Sequence, residues 1–237
     1  MKREARANPR RLAPRETTER TDWRAVIFDL WDTLVEFPWE LANVHFAAMA
    51  RELGVDAERL RSTWRELEPA WETMPLSPSL QLLCRQLGVE GADIEKLRDL
   101  RLAYTRRALT PRADVIETLR ELRGRRLRLG LISACSGDVP GVWGETTLAD
   151  LIDAPVFSCV VGFCKPDPRI YRLASSDLGV QASKCLYVGD GGHDELAGAA
   201  RAGMTAILLQ TGDGPRPPES QGWTARISAI PEVLRLL

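Results

Sequence analysis

What most constrains the fold of this chain is the way short apolar runs of β-forming residues alternate with amphipathic helical stretches. VIFDL at 26–30 is the first such run, and others follow at 127–133, 155–161, 185–188 and 205–209. Val115, Ile116, Leu119 and Leu122 line a helix face ahead of the second run, and Leu196, Ala199, Ala200 and Gly203 line another after the fourth. Strands that alternate with helices build parallel βαβ units, so the expected fold is α/β with a doubly wound parallel sheet. A helix over 230–237 is expected to close the chain.

Residues 36–110 break the alternation with four helical patterns in succession and no convincing strand. Leu60, Trp64, Leu67 and Trp71 recur at spacings of four, three and four, one stripe of a helix. Ser77–Pro78 marks a helix start, Gly54 and Gly88 stand at expected helix ends, and Leu97, Leu100, Tyr104 and Ala108 form the stripe of the fourth helix. The expected organisation is a tail at 1–23, a core formed by 24–35 together with 111–237, and a helical insert at 36–110. TGDGPRPPES at 211–220 reads as a surface loop.

Composition excludes several classes. Hydrophobic residues are 44% and charged residues 27%, as in ordinary globular domains, so neither disorder nor a fibre is indicated. Acids and bases nearly cancel, 33 against 32, without the basic footprint of a dedicated nucleic-acid binder. Residues 1–24 carry eight Lys/Arg against four Asp/Glu with almost no apolar periodicity, the pattern of a flexible basic tail. Five dispersed cysteines without a CxxC pair suggest neither a disulfide framework nor a zinc site. With no transmembrane-length apolar run and no secretory signal, a cytoplasmic protein with neither a membrane nor nucleic acid as partner is expected; monomer and homodimer both remain open.

In an open parallel sheet the ligand crevice lies beyond the carboxyl ends of the strands. Polar groups stand there each time: Asp29 after the first run, Ser133 at the end of the second, Lys165 after the third, and Asp190 after the fourth, with Asp194 four residues on. Four such groups in strand register are hard to obtain by accident. VIFDLWDTL, GLISACS, GFCKPDPRIY and YVGDGGHDELAGAARAGM together resemble the four ordered motifs of the haloacid dehalogenase superfamily, a resemblance that spans about 24–210.

The resemblance implies a Rossmann-like core with 36–110 as a mobile helical cap, and a magnesium-dependent hydrolase acting on a small phosphorylated metabolite. Asp29 would then be the nucleophile, whose aspartyl-phosphate splits one displacement into two. Lys165 would set a positive charge against the transferring group, and Ser133 would donate its hydroxyl to a phosphoryl oxygen. Asp29, Asp190, Asp194 and the backbone carbonyl of Trp31 would hold Mg2+, which turns carboxylate–phosphate repulsion into binding. His193 is expected to begin a helix rather than bind metal, since hard magnesium prefers oxygen. His45, Cys135 and Cys164 are expected to be structural, and Trp39, Trp64 and Trp71 serve equally well as insert core or substrate platform.

The chain departs from the family pattern where it matters for proton transfer. Trp31 stands where family phosphatases carry a second aspartate, and an acid appears one residue later, at Asp32. Either Asp32 or a residue of the insert would have to supply the acid/base; otherwise alkyl phosphates are cleaved slowly and aryl or acyl phosphates are favoured. Dehalogenating relatives also lack that aspartate, so a metal-independent dehalogenase-like hydrolase is one alternative. A binding or regulatory protein on a decayed enzyme scaffold is the other.

Overall fold

The structure, a computed structural model, describes residues 22–212, 218 and 222–237. The basic tail, apart from its last residues, and most of the loop at 211–220 lie outside the described residues. Six parallel strands, β1 (Ala25–Phe28), β2 (Arg128–Ser133), β3 (Ala154–Phe157), β4 (Cys185–Gly189), β5 (Thr205–Leu209) and β6 (Trp223–Ile227), form one sheet in the order β3-β2-β1-β4-β5-β6. The direction of winding reverses between β1 and β4, which opens a crevice at their carboxyl ends.

Strand periodicity sends alternate residues to opposite faces. Val26, Phe28, Leu129, Leu131, Leu186 and Val188 join one apolar cluster, whereas Ala25, Ile27, Cys185, Tyr187, Ala206 and Leu208 join the other. Because both faces are covered, β1 and β4 are buried at every position and read as unbroken apolar runs.

The insert comprises α1 (Trp39–Leu53), α2 (Ala57–Glu66), α3 (Glu68–Trp71), α4 (Leu76–Leu87) and α5 (Ile94–Ala108). Gly54 and Gly88 close α1 and α4 in the left-handed conformation, with φ of 65° and 69°, as their positions predict. Asp56 and Asp93 cap α2 and α5 by accepting backbone N–H groups. The expected stripe over Leu60–Trp71 is divided, since α2 ends at Glu66 and Pro69 belongs to the separate turn α3. Trp64 and Trp71 nevertheless stack at 5.2 Å, and the Trp71 indole N–H donates to the Trp64 carbonyl. Both tryptophans thus serve the insert's own packing, whereas Trp39 is exposed.

The remaining helices are α6 (Val115–Gly124), α7 (Asp138–Val142), α8 (Ser158–Val161), α9 (Pro168–Asp177) and α10 (Glu195–Arg201). Residues of α6 join the first apolar cluster, and those of α9 and α10 the second. Three expectations need correction. The third apolar run is strand only through Phe157, because Ser158–Val161 turn into α8, which ends on left-handed Gly162. Trp223–Ile227 is an additional edge strand whose half-exposed, mixed residues hide its β character. Finally, Ile230–Arg235 is a 3-10 segment opened by Pro231 rather than an α-helix.

The insert is seated directly on the core. Arg101 of α5 pairs with Asp138 of α7 at 2.8 Å, both side chains buried, and donates also to the Ser136 hydroxyl. Ser136 and Thr105 complete the Asp138 shell with hydroxyl donors. The Arg101 guanidinium lies 4.7 Å over the Trp64 ring, and His45 stacks on Tyr104 beside it, which confirms His45 as a packed structural residue. Gly137 meets the Leu76 backbone so closely that a Cβ there would collide with it.

Candidate active site

Asp29 follows the last residue of β1, and its N–H still donates to the Val188 carbonyl at 2.9 Å. Its carboxylate is thereby fixed at the crevice and almost entirely buried. Ser133 ends β2 next to it in the sheet, fully buried, and among the described residues its hydroxyl has no hydrogen-bond partner. An orphaned buried hydroxyl costs about 1–3 kcal/mol, a cost that an arriving acceptor oxygen would remove.

Lys165 reaches this point from the loop between α8 and α9. Its ammonium donates to Asp29 Oδ1 and to Glu195 Oε2, each at 2.5 Å, with both contacts buried. Burial alone would lower the lysine pKa, but the two carboxylate charges override it and hold the ammonium well above its ordinary range. Glu195, the first residue of α10, is fully buried and also accepts from Tyr187 Oη at 2.7 Å and the Gly191 N–H at 3.0 Å. Burial pushes its carboxyl up to about 7 against the pull of Lys165. Gly189 is required beneath it, since any Cβ there would run into the Glu195 carboxylate.

Asp190 follows β4, half-buried, and accepts the Gly192 N–H at 3.0 Å. One carboxylate oxygen from each of Asp29, Asp190 and Glu195 lies within 4.8 Å of the others. Asp194 is not in this group. His193 and Asp194 both have left-handed backbone, φ 54° and 50°, so the loop unwinds and α10 begins at Glu195, two residues beyond the start expected at His193. That offset turns Glu195 inward. The residue itself was visible inside the fourth motif, but the backbone path that selects it was not.

Asp32 takes a structural role. Its φ is 56°, its carboxylate accepts the Phe37 N–H at 3.0 Å, and its carbonyl accepts from Arg112 at 3.1 Å. The Trp31 ring turns to the root of the insert, packing edge-on against Phe37 and on the cluster of Ala42, Tyr104 and Ala108. Cys135 lies fully buried 3.9 Å from the Cys159 sulfur, and burial raises its pKa far above a reactive range. Cys164 is held up at about 12, first by burial.

A second acid, unforeseen from the sequence, arrives from the insert. Glu72 follows α3, is 6% exposed, and accepts the Cys164 thiol at 3.3 Å, while its other oxygen lies 3.5 Å from His193 Nε2. Burial raises its pKa, with His193, the Cys164 thiol and Lys165 opposing and Glu68 assisting.

The profile of the haloacid dehalogenase-like hydrolase family matches residues 23–203. The chain belongs to this family. Among its relatives, Phosphatase MT3486 of Mycobacterium tuberculosis is 32% identical, over 80% of this chain and 90% of that protein. The (S)-2-haloacid dehalogenase 4A of Burkholderia cepacia is 26% identical, over 90% of this chain and 94% of that one. A HAD phosphatase of Thermococcus onnurineus shares the fold, with a TM-score of 0.69 at 21% identity, over 90% of this chain and 97% of that structure. As a haloacid dehalogenase-like hydrolase, the chain is an enzyme with a Rossmann-like core, and none of its described helices is long and apolar enough to cross a membrane.

Proposed function

We propose that this hydrolase is a magnesium-dependent phosphatase acting on a small phosphorylated metabolite through an aspartyl-phosphate at Asp29. The supporting observation is the convergence of Asp190 with Asp29 and Glu195. Three carboxylates around a single ammonium leave an excess of negative charge that would repel a phosphate, whereas an all-oxygen donor set suits a hard divalent cation. The orphaned Ser133 hydroxyl independently fits an acceptor-rich phosphoryl group. Asp29 and Asp190 would hold Mg2+, with the Trp31 carbonyl as a further oxygen and Asp194 acting through water. Bound there, the ion would neutralise charge on the phosphoryl oxygens.

The chain's own residues do the rest. Lys165 orients Asp29 for attack and stands as its counterion; Glu195, tied down by Tyr187 and Gly191, holds Lys165 in place. Ser133 binds a phosphoryl oxygen, and the insert over the crevice excludes water. Trp31, together with the dehalogenase relatives, supports a second reading: metal-independent release of halide from a 2-haloacid.

A panel of phosphometabolites and 2-haloacids, assayed with magnesium and with chelator, separates the two. Phosphate release that requires magnesium and vanishes in Asp29→Asn is expected. Halide release in chelator without phosphatase activity would replace the proposal by the second reading, and ligand-induced stabilisation without turnover of either would indicate a binding protein.

A further inference from the structure

We propose that Glu72, carried by the helical insert, is the general acid and base of this site, supplying the proton transfer that Trp31 cannot. The inference rests on the phosphatase reading and extends it to the source of the proton. An indole has no transferable proton near neutral pH, and the Trp31 ring is packed into the root of the insert. The Asp32 carboxylate is engaged by the Phe37 amide five residues away in its own turn. Neither position puts an acid beside Asp29.

Glu72 reaches the crevice from the opposite side. Its Oε2 contacts Cys164, the residue before Lys165, and its Oε1 faces His193, three residues after Asp190. The carboxylate is thus held between the two core loops that deliver the site's cation and its outer acid. It is the one buried Asp or Glu among the described residues of the insert. The groups facing it are Glu68 on its own element, His193 and Cys164 on the two loops, and Lys165 beyond them. Among the described residues no arginine pairs with it, and Lys165 is committed to Asp29 and Glu195. A buried carboxyl without a dedicated cation favours its protonated form, the form a leaving group requires.

The proton balance closes over two steps. Asp29 attacks phosphorus, the bond from phosphorus to the leaving oxygen breaks, and protonated Glu72 gives that oxygen its proton, releasing the alcohol and leaving Glu72 ionised. Water then attacks the aspartyl-phosphate, Glu72 takes the water proton, and the bond from phosphorus to Asp29 breaks, which returns Asp29 as carboxylate and Glu72 as acid with free phosphate. Entry from the insert also makes proton transfer depend on the insert being seated.

The test compares wild type and Glu72→Gln, both checked by thermal melting, on p-nitrophenyl phosphate and glycerol phosphate at saturating magnesium, with rapid acid quench to trap phospho-Asp29. Turnover of the alkyl phosphate should fall roughly 100- to 10,000-fold, phosphorylation by the aryl phosphate should change less than about tenfold, and phosphoenzyme should accumulate. Trp31→Asp added to Glu72→Gln should recover alkyl turnover. A measurement on wild type alone adds an arm free of folding effects: its rates should depend only weakly on leaving-group pKa. A steep dependence in wild type, undiminished alkyl turnover in Glu72→Gln, or an equal loss on both substrates without phosphoenzyme would overturn the assignment of Glu72 alone. Absence of phospho-Asp29 in wild type with every substrate would instead overturn the phosphatase reading, and this inference with it.

Discussion

Replacing Lys165 by methionine tests the electrostatic centre of the site. The ammonium is 2.5 Å from Asp29 and 2.5 Å from Glu195, in surroundings where all three side chains are at most 5% exposed. Removing it leaves uncompensated negative charge in a buried place, a change that costs roughly 3–5 kcal/mol. For a chain of this size each kcal/mol is worth about 2–4 °C, so melting should fall by roughly 6–20 °C at pH 8. The pH dependence has a definite sign. Without the cation, the native pKa of Glu195, already raised by burial, lies farther above its unfolded value of about 4, so the native variant binds a proton that the unfolded chain does not. Its stability therefore falls as pH rises above that range, and the deficit relative to wild type should be smaller at pH 5 than at pH 8. Urea denaturation of both proteins at the two pH values reads this directly, and Lys165→Met should also lose most turnover. A deficit below about 1 kcal/mol, or one that grows on acidification, would refute the picture of Lys165 as counterion to two buried carboxylates.

Other expectations are more local. Burial first, and Arg101 second, lower the His45 pKa to about 3, so the unfolded chain takes up a proton below pH 6.5 that the native protein refuses. Stability from this group is present above pH 6.5 and is lost as pH falls toward 3, by about 2 kcal/mol between pH 7 and pH 5, and His45→Gln should remove that share of the acid sensitivity in denaturant titrations. Calorimetric titration should find magnesium bound at least about tenfold more weakly by Asp190→Asn, as expected for loss of a charged oxygen ligand; equal affinities would remove the metal-site assignment. Gly189→Ala pushes a methyl against the pinned Glu195 carboxylate and should destabilise by about 1–3 kcal/mol with loss of activity, whereas Gly144→Ala, with open space at its Cβ, should stay within about 0.5 kcal/mol. Comparable effects at the two glycines would contradict the cradle described for Glu195.

The doubly wound sheet was legible in the chain because strands buried on both faces must be continuously apolar, and 26–28 and 185–188 are. Asp29, Ser133 and Asp190 were legible for a related reason, since a residue that directly follows or ends such a strand has its position dictated by the sheet; Lys165, on the loop between α8 and α9, was legible only through the GFCKPDPRIY motif. The insert was recognisable as helical from its stripes, and Gly54 and Gly88 marked two of its ends. Trp223–Ile227 escaped because an edge strand with half-exposed residues carries little periodic signal.

Tertiary structure alone decided the partners of those residues. Consecutive left-handed residues at 193 and 194 are a backbone choice made against Asp190, Gly191 and the start of α10, and that choice brings Glu195 rather than Asp194 to Lys165. Asp32 looked like a displaced acid until its carboxylate was seen to close the turn onto Phe37. Glu72 had no readable signal at all: it lies 43 residues from Asp29 in the chain and 93 before Lys165. Its contacts with Cys164 and His193 exist because the insert folds back over the strand ends through Arg101–Asp138 and Gly137 against Leu76. Local sequence determines which residues occupy the end of a strand, because hydrogen-bond register and burial act over a few positions; which side chains face them across a crevice depends on packing between elements far apart in the chain.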